Sequence, residues 1–371
     1  MNEFDSLTDL GMTLDKHVIC NSRRFIQANN GIRDLCKRYI KNGQRMYDAI
    51  KRYDTIKLYT SKGQEGIPGG TLRTIAPFLK ASGATDLGVY GSLRESMVLS
   101  PGSKEAVNHV FLTMPIRIMA ETYVHEAMLL SDELDVPLSR IKHADVNFDE
   151  MDIGKDDCAV LRELASKMAS LNASDVKYVP NEKSRLDDKD VALLDVMNNI
   201  FDDSYISSDV FSITESIESM DSNVKSIDLL DRRRALGLDL EDAAYIGCNH
   251  SDGPSMLTVH GNGGLALAFN GDYTAVRCST VATFSRDATT ALILLQEFYT
   301  YGTEAVKDLA SNWSRDYLKR YDFFNPSLMK TFLEGNTKLP EVILLDDANR
   351  EEACQRADEI QRKMDRSFAR H

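Results

Sequence analysis

The feature that most constrains this chain is an alternation of short apolar runs with helical stretches, the pattern left by a parallel sheet covered by helices. "KHVIC" at 16–20 reads as the first strand and stops at the polar "NSRR". In "LSPGSKEAVNHVFLTMPIRIMAETYVHEAM", residues 99–128, Pro101-Gly102 makes a turn and Ser103 is placed as the N-cap of a helix ending near Thr113. A strand "IRIMA" follows, then a helix "ETYVHEAML". Further on come a helix and short turn in "KSIDLLDRRRALGLDLED", then the strands "AAYIG", "GLALAFNG" and "STVAT".

Between these pieces lie segments that do not fit a sheet. Residues 31–60 place Leu35, Tyr39, Met46, Ile50 and Tyr53 at helical spacing. "SKGQEGIPGG" at 61–70 is read as a loop, and "TLRTIAPFLKASG" as a helix stopped by Gly83. Residues 151–220 are rich in Asp, Ser and Glu around helical patches, so they are read as an inserted group of helices. Everything after about 285 is expected to be helical. The last helix carries a stripe of Ala353, Ala357, Ile360, Met364 and Phe368, which fits docking on its own core or, as a second reading, a protein partner. The expected architecture is therefore an α/β, Rossmann-like parallel-sheet core at 1–30, 96–150 and 221–284. A helical cap occupies 31–95, the acidic helical insertion 151–220, and a C-terminal helical extension 285–371.

Charge and cysteine usage narrow the function. A net charge of −13 argues against a phosphate-backbone binder, and the one basic run, "DRRRALG" at 231–237, is flanked by acids and read as a solvated helix face. The longest apolar runs, such as "ALILL", are too short to span a bilayer. Six scattered cysteines (Cys20, Cys36, Cys158, Cys248, Cys278, Cys354) form no C-x-x-C pair, and the first residues lack signal-peptide features. A reduced, cytoplasmic protein binding neither nucleic acid nor membrane is expected.

The order of the pieces, with "LSPGSKEAV" before the second strand and "YIGCNHSDGPSML…GGLALAFNG" around the fourth motif, resembles the haloacid dehalogenase-like (HAD) superfamily, in particular its archaeal phosphatase type. The resemblance implies a carboxylate nucleophile on the first strand and an acid/base two residues later. It also implies a Ser or Thr and a Lys around the transferred phosphoryl group, and Mg²⁺ held by acids.

Carried onto this chain, the nucleophile position is Asn21, whose amide has no anionic oxygen to attack with. The acid/base position is Arg23, which stays protonated. The Ser/Thr position is Ala120, with Thr122 two residues on. The lysine is Lys225. The fourth-motif acids become Cys248 and Asp252.

Arg23, Thr122, Lys225 and Asp252 are thus the candidate ligand-binding residues, and Asp252 the one candidate metal ligand. Asp252 also has an ordinary use, as a cap of the helix that begins at Gly253-Pro254. An alternative first motif would start at Asp15 and His17. Cys248 and His250, with Cys20 and His260, raise a softer-metal site, and Cys248 also raises a thiol nucleophile. His109, His125 and His143 carry no pattern.

The expectation is a degenerate, non-catalytic protein that binds a phosphate or carboxylate or serves in regulation or assembly, with no cofactor. The alternative is an active phosphatase of small esters that uses Mg²⁺ with an atypical nucleophile or metal site.

Overall fold

The computed structural model describes residues 15–60, 70–172, 186–201, 209–218, 220–323 and 325–368. Of the loop expected at 61–70, residues 61–69 lie outside the described residues and Gly70 begins a helix; the acidic start of the chain and the side chains of Met364 and Phe368 also lie outside.

Among the described residues a seven-stranded sheet runs in the order β3-β2-β1-β4-β5-β6-β7. Its strands are β1 (His17–Asn21), β2 (Ile116–Tyr123), β3 (Ile141–Ala144), β4 (Ala243–Gly247), β5 (Leu265–Phe269), β6 (Val281–Phe284) and β7 (Glu341–Leu344). All neighbours pair in parallel except β6 and β7. The fold is α/β and Rossmann-like, as the alternation of strands and helices requires.

The central strands "HVICN", "AAYIG" and "LALAF" are buried at every position, as expected where helices cover both faces of a parallel sheet. Alternate residues feed two cores. Val18, Cys20, Ile118, Ala120, Ile246 and Leu267 pack with the helices Ser103–Thr113, Val124–Leu134 and Thr289–Tyr301. Ile19, Met119, Tyr245 and Ala268 pack toward the opposite face.

Three readings need correction. Ser103 is the first helical residue, not the cap: Gly102 takes the N-cap position in a left-handed conformation (φ 71°) that a residue with a Cβ rarely adopts. The second strand runs three residues beyond "IRIMA", to Tyr123, so "ETY" is strand and not helix. The stretch after about 285 is not wholly helical, because β7 closes the sheet edge antiparallel to β6. Edge strand β3 was likewise not anticipated. Both added strands have four residues, which limits the exposed edges.

The cap and the acidic insertion, separated in the chain by β2 and β3, form one helical body. Arg52 on Gly43–Thr60 makes a two-pronged ion pair with Asp190 on Asp188–Asn199 (2.9 and 2.6 Å). Tyr53 donates to Asn198 (2.8 Å) and stacks on Phe201 with ring centroids 5.4 Å apart. Arg162 of the insertion donates to the carbonyl of Ala81 at the end of Gly70–Ala81. The C-terminal helix Arg350–Phe368 docks on the molecule's own core, with Ala353, Cys354 and Ala357 buried. Because Phe201 is buried against the cap, Phe201→Ala is expected to cost about 3–5 kcal/mol in denaturant unfolding. A loss below about 1 kcal/mol would mean the insertion does not support the cap.

Candidate functional site at the switch point of the sheet

Strand order reverses around β1, whose neighbours β2 and β4 lead away in opposite directions. In open α/β sheets the crevice beyond the carboxyl ends of the strands at this point is where ligands sit. Here β1 ends at Asn21, paired with Met119, while β2 continues upward and carries Glu121 past it. After β4 the loop Cys248–Asp252 folds back over the strand ends. Gly247 permits that turn, since a Cβ there would lie 2.4 Å from the Met256 sulfur and 2.8 Å from Asp252 Cβ. Lys225 arrives from the helix Ser222–Leu236, whose start is fixed by Asp221 accepting from the amides of Asn223 and Val224.

The carboxylate of Asp252 is fully buried and saturated. Its Oδ1 accepts from Asn21 Nδ2 (3.1 Å), Lys225 Nζ (2.7 Å) and the Tyr245 hydroxyl (3.1 Å). Its Oδ2 accepts from Asn21 Nδ2 (2.9 Å) and the amides of Cys248 (2.9 Å) and Asn249 (3.2 Å). This answers the capping question: Asp252 stands at the N-cap of Gly253–Gly261 but makes no side-chain bond to that helix, and turns back toward the strand ends. Asn21 is held in one orientation, because its Oδ1 accepts from the Arg23 amide (3.0 Å) while its NH₂ faces the carboxylate.

Lys225 is equally committed. Its ammonium donates to Glu121, to Ser251 Oγ (2.7 Å) and to Asp252. Glu121 also accepts from the Ser251 hydroxyl and from Asn249 Nδ2 (3.1 and 3.2 Å), and pairs with Lys51 of the cap at 3.7 Å. Burial opposes charge on Glu121, but the Lys225 and Lys51 ammoniums and its donors win and hold its carboxyl well below the usual range. Burial likewise opposes charge on Lys225, and the Asp252 and Glu121 carboxylates outweigh it, raising its pKa. Two carboxylates face two ammoniums, so the cluster has no net negative charge.

The remaining residues complete the wall. Burial, reinforced by the Asp252 charge, pushes the Cys248 thiol up, so no thiolate forms at neutral pH. His250, pushed down to about 3 by burial and then by the nearby Lys51, is neutral and sits 3.0 Å from Thr55 Oγ1 of the cap. Arg23 lines the cavity beside the cluster. Ala120 faces the opposite core, and Thr122 is buried beside Glu126 without a bond to Lys225 or Asp252. Of the residues singled out in the sequence, the fold brings together Asn21, Arg23, Lys225, Cys248 and Asp252. Asp15 is exposed, and His260 bonds Thr280.

Glu121, Tyr245, Ser251 and Lys51 were not anticipated. Glu121 had a findable signal: it is the first acid after the apolar run "IRIMA", hidden because reading the strand as ending at Ala120 stops three residues short of Tyr123.

The magnesium implied by the resemblance does not fit this donor set. Mg²⁺ requires oxygen lone pairs in near-octahedral array. Here the Asn21 NH₂ and the Lys225 ammonium aim protons at the carboxylate oxygens a metal would need, and a protonated thiol stands at the other acid position.

No family model matches the chain, and no curated protein matches it. Among solved structures, gene product AF1437 from Archaeoglobus fulgidus is 17% identical, covering 94% of this chain and 97% of its own, with a TM-score of 0.75. A phosphoserine phosphatase solved as a phospho-aspartyl intermediate analogue is 12% identical, covering 78% of this chain and 99% of its own (TM-score 0.44). A phosphoserine phosphatase in apo form is 13% identical, covering 78% and 100% (TM-score 0.44). The likeness to AF1437 shows the shared fold, a mostly parallel α/β sheet.

Lys225→Met would leave Glu121 and Asp252 buried near one another without their shared cation. The expected cost is about 3–5 kcal/mol of unfolding free energy. Lys225→Met combined with Glu121→Gln and Asp252→Asn should recover part of it. A single variant as stable as the unaltered chain would contradict the pairing.

Proposed function

We propose that this chain is a non-catalytic protein on a HAD-type core, one that holds a ligand or serves in regulation or assembly and transfers no phosphoryl group. One observation carries the reading: at the strand ends, where a HAD phosphatase needs an attacking carboxylate and a bound divalent ion, Asn21 and Lys225 donate their protons to Asp252. A nucleophile needs an exposed anionic oxygen, and an acid/base group needs a proton it can give and take near neutral pH. Asn21 lacks the first, and Arg23 the second. Glu121 is anionic, but its oxygens are bound by Lys225, Ser251 and Asn249.

The proposed pseudoenzyme differs from an atypical phosphatase in one assay. A panel of small phosphate esters with Mg²⁺, Mn²⁺ or Zn²⁺ is expected to show no turnover above background for the unaltered chain. Metal-dependent hydrolysis that disappears in Asp252→Ala would overturn the reading in favour of a working phosphatase.

A further inference from the structure

The C-terminal extension holds a cavity of about 340 Å³ that shares no lining residue with the cavity at the strand ends. It opens between the short helix Arg315–Leu318 and the helix Pro326–Gly335. The hairpin they form is pinned at both ends. Arg315 donates to the carbonyls of Leu333 and Asn336 (both 2.6 Å), satisfying the far end of the second helix. At the other end the Tyr321 hydroxyl donates to the buried Glu297 (2.6 Å). There Asn325 also caps the second helix, accepting from the Leu328 amide (3.1 Å), with Pro326 in the first turn. These fastenings hold the two helices at the separation that leaves the space between them.

The walls are of two kinds. Leu318, Phe323, Met329 and Leu333 form an apolar floor, and all four belong to the same buried core as Val18 and Leu267. Arg315, Lys319 and Lys330 stand around it. These cations are not equally available. Arg315 is committed to the two carbonyls, and Lys330 has Glu334 4.0 Å away on its own helix. Lys319 is exposed, and among the described residues its ammonium makes no hydrogen bond or ion pair.

Ligand cavities of a few hundred Å³ are mostly apolar, with a few polar groups that fix orientation. Here the floor suits an apolar body, and one uncommitted ammonium at the rim suits a single negative charge. At about 30 Å³ per water-sized group the space takes roughly eleven such groups, the size of a ten-carbon chain with its head at the rim. A small polyanion would leave the floor uncovered and would meet only one unengaged cation.

We infer that this cavity binds a medium-chain fatty carboxylate, its hydrocarbon chain on Leu318, Phe323, Met329 and Leu333 and its head group at Lys319. The site lies apart from the strand ends, so it stands or falls independently of the absence of turnover. Trp313, the one tryptophan in the sequence, is placed to report on it. Its ring packs edge-on against Phe332 (centroids 6.0 Å apart), the neighbour of Leu333, and its Nε1 donates to the Pro340 carbonyl (3.0 Å).

Titration of the full chain with decanoate, kept below micelle-forming concentrations and followed by tryptophan fluorescence, tests this. Decanoate should change the emission saturably. The neutral 1-decanol should bind severalfold more weakly, the difference that an exposed ion pair supplies, and acetate should give no change at the same concentrations. Lys319→Glu, at an exposed position, should weaken decanoate about fivefold and leave decanol unchanged, a contrast that a folding defect would not produce. Met329→Phe, which fills the cavity, should weaken both ligands; should that variant fail to fold, Lys319→Glu still decides. The inference is overturned if decanoate gives no saturable change, if acetate matches it, or if decanol binds as tightly. Undiminished decanoate binding in Lys319→Glu or in a folded Met329→Phe, or equal weakening of decanol in Lys319→Glu, would also overturn it.

Discussion

The arrangement of this molecule turns on one ammonium group placed between two buried carboxylates. Lys225 reaches the carboxyl ends of β2 and β4 from a helix that precedes β4, and there neutralises Glu121 and Asp252 together. Asp252 in turn gathers Asn21 at the end of β1, Tyr245 on β4 and the amides of the following loop. Three strand ends are thereby tied through a single charge balance. Burying these ions costs several kcal/mol each, and only dense mutual hydrogen bonding offsets it. The site's own groups thus satisfy every oxygen of Asp252.

The same cluster fixes the relation between core and cap. Lys51 extends the charge balance outward by pairing with Glu121, and Thr55 on the same helix meets the neutral ring of His250. The cap is itself braced from behind by the acidic insertion through the Arg52–Asp190 pair and the Tyr53–Phe201 stack. Segments far apart in sequence therefore converge on one crevice. The C-terminal helix joins them from the other side, since Gln361 lies along the cavity that Lys51 also lines.

Much of this fold was legible because burial on both faces makes parallel strands into uninterrupted apolar runs. "HVIC", "AAYIG" and "LALAF" announce themselves for that reason, and Gly247 and Asp252 follow from "AAYIG", which ends in one and leads to the other. The edge strands "IKHA" and "EVIL" were not legible, since four residues with mixed polarity give too little pattern to separate from loop or helix.

Glu121 shows the limit most clearly. The sequence "ETYVHEAM" has a helical look, and only pairing with β3 extends the strand through Tyr123. That shift of a few residues turned an apparent shortage of acids into two carboxylates matched by two lysines. Side-chain partnerships such as Tyr245 with Asp252 depend on tertiary approach and leave no local trace.

The account rests on the Lys225 ammonium and the Asn21 amide satisfying Glu121 and Asp252 without a divalent ion. A crystal structure of the protein grown with excess Mn²⁺, with anomalous diffraction recorded for manganese, tests it most directly. The account predicts no manganese among Asn21, Glu121 and Asp252, with the Lys225 ammonium still bonded to both carboxylates. An anomalous peak in octahedral coordination to Asp252, with Lys225 displaced, would contradict it.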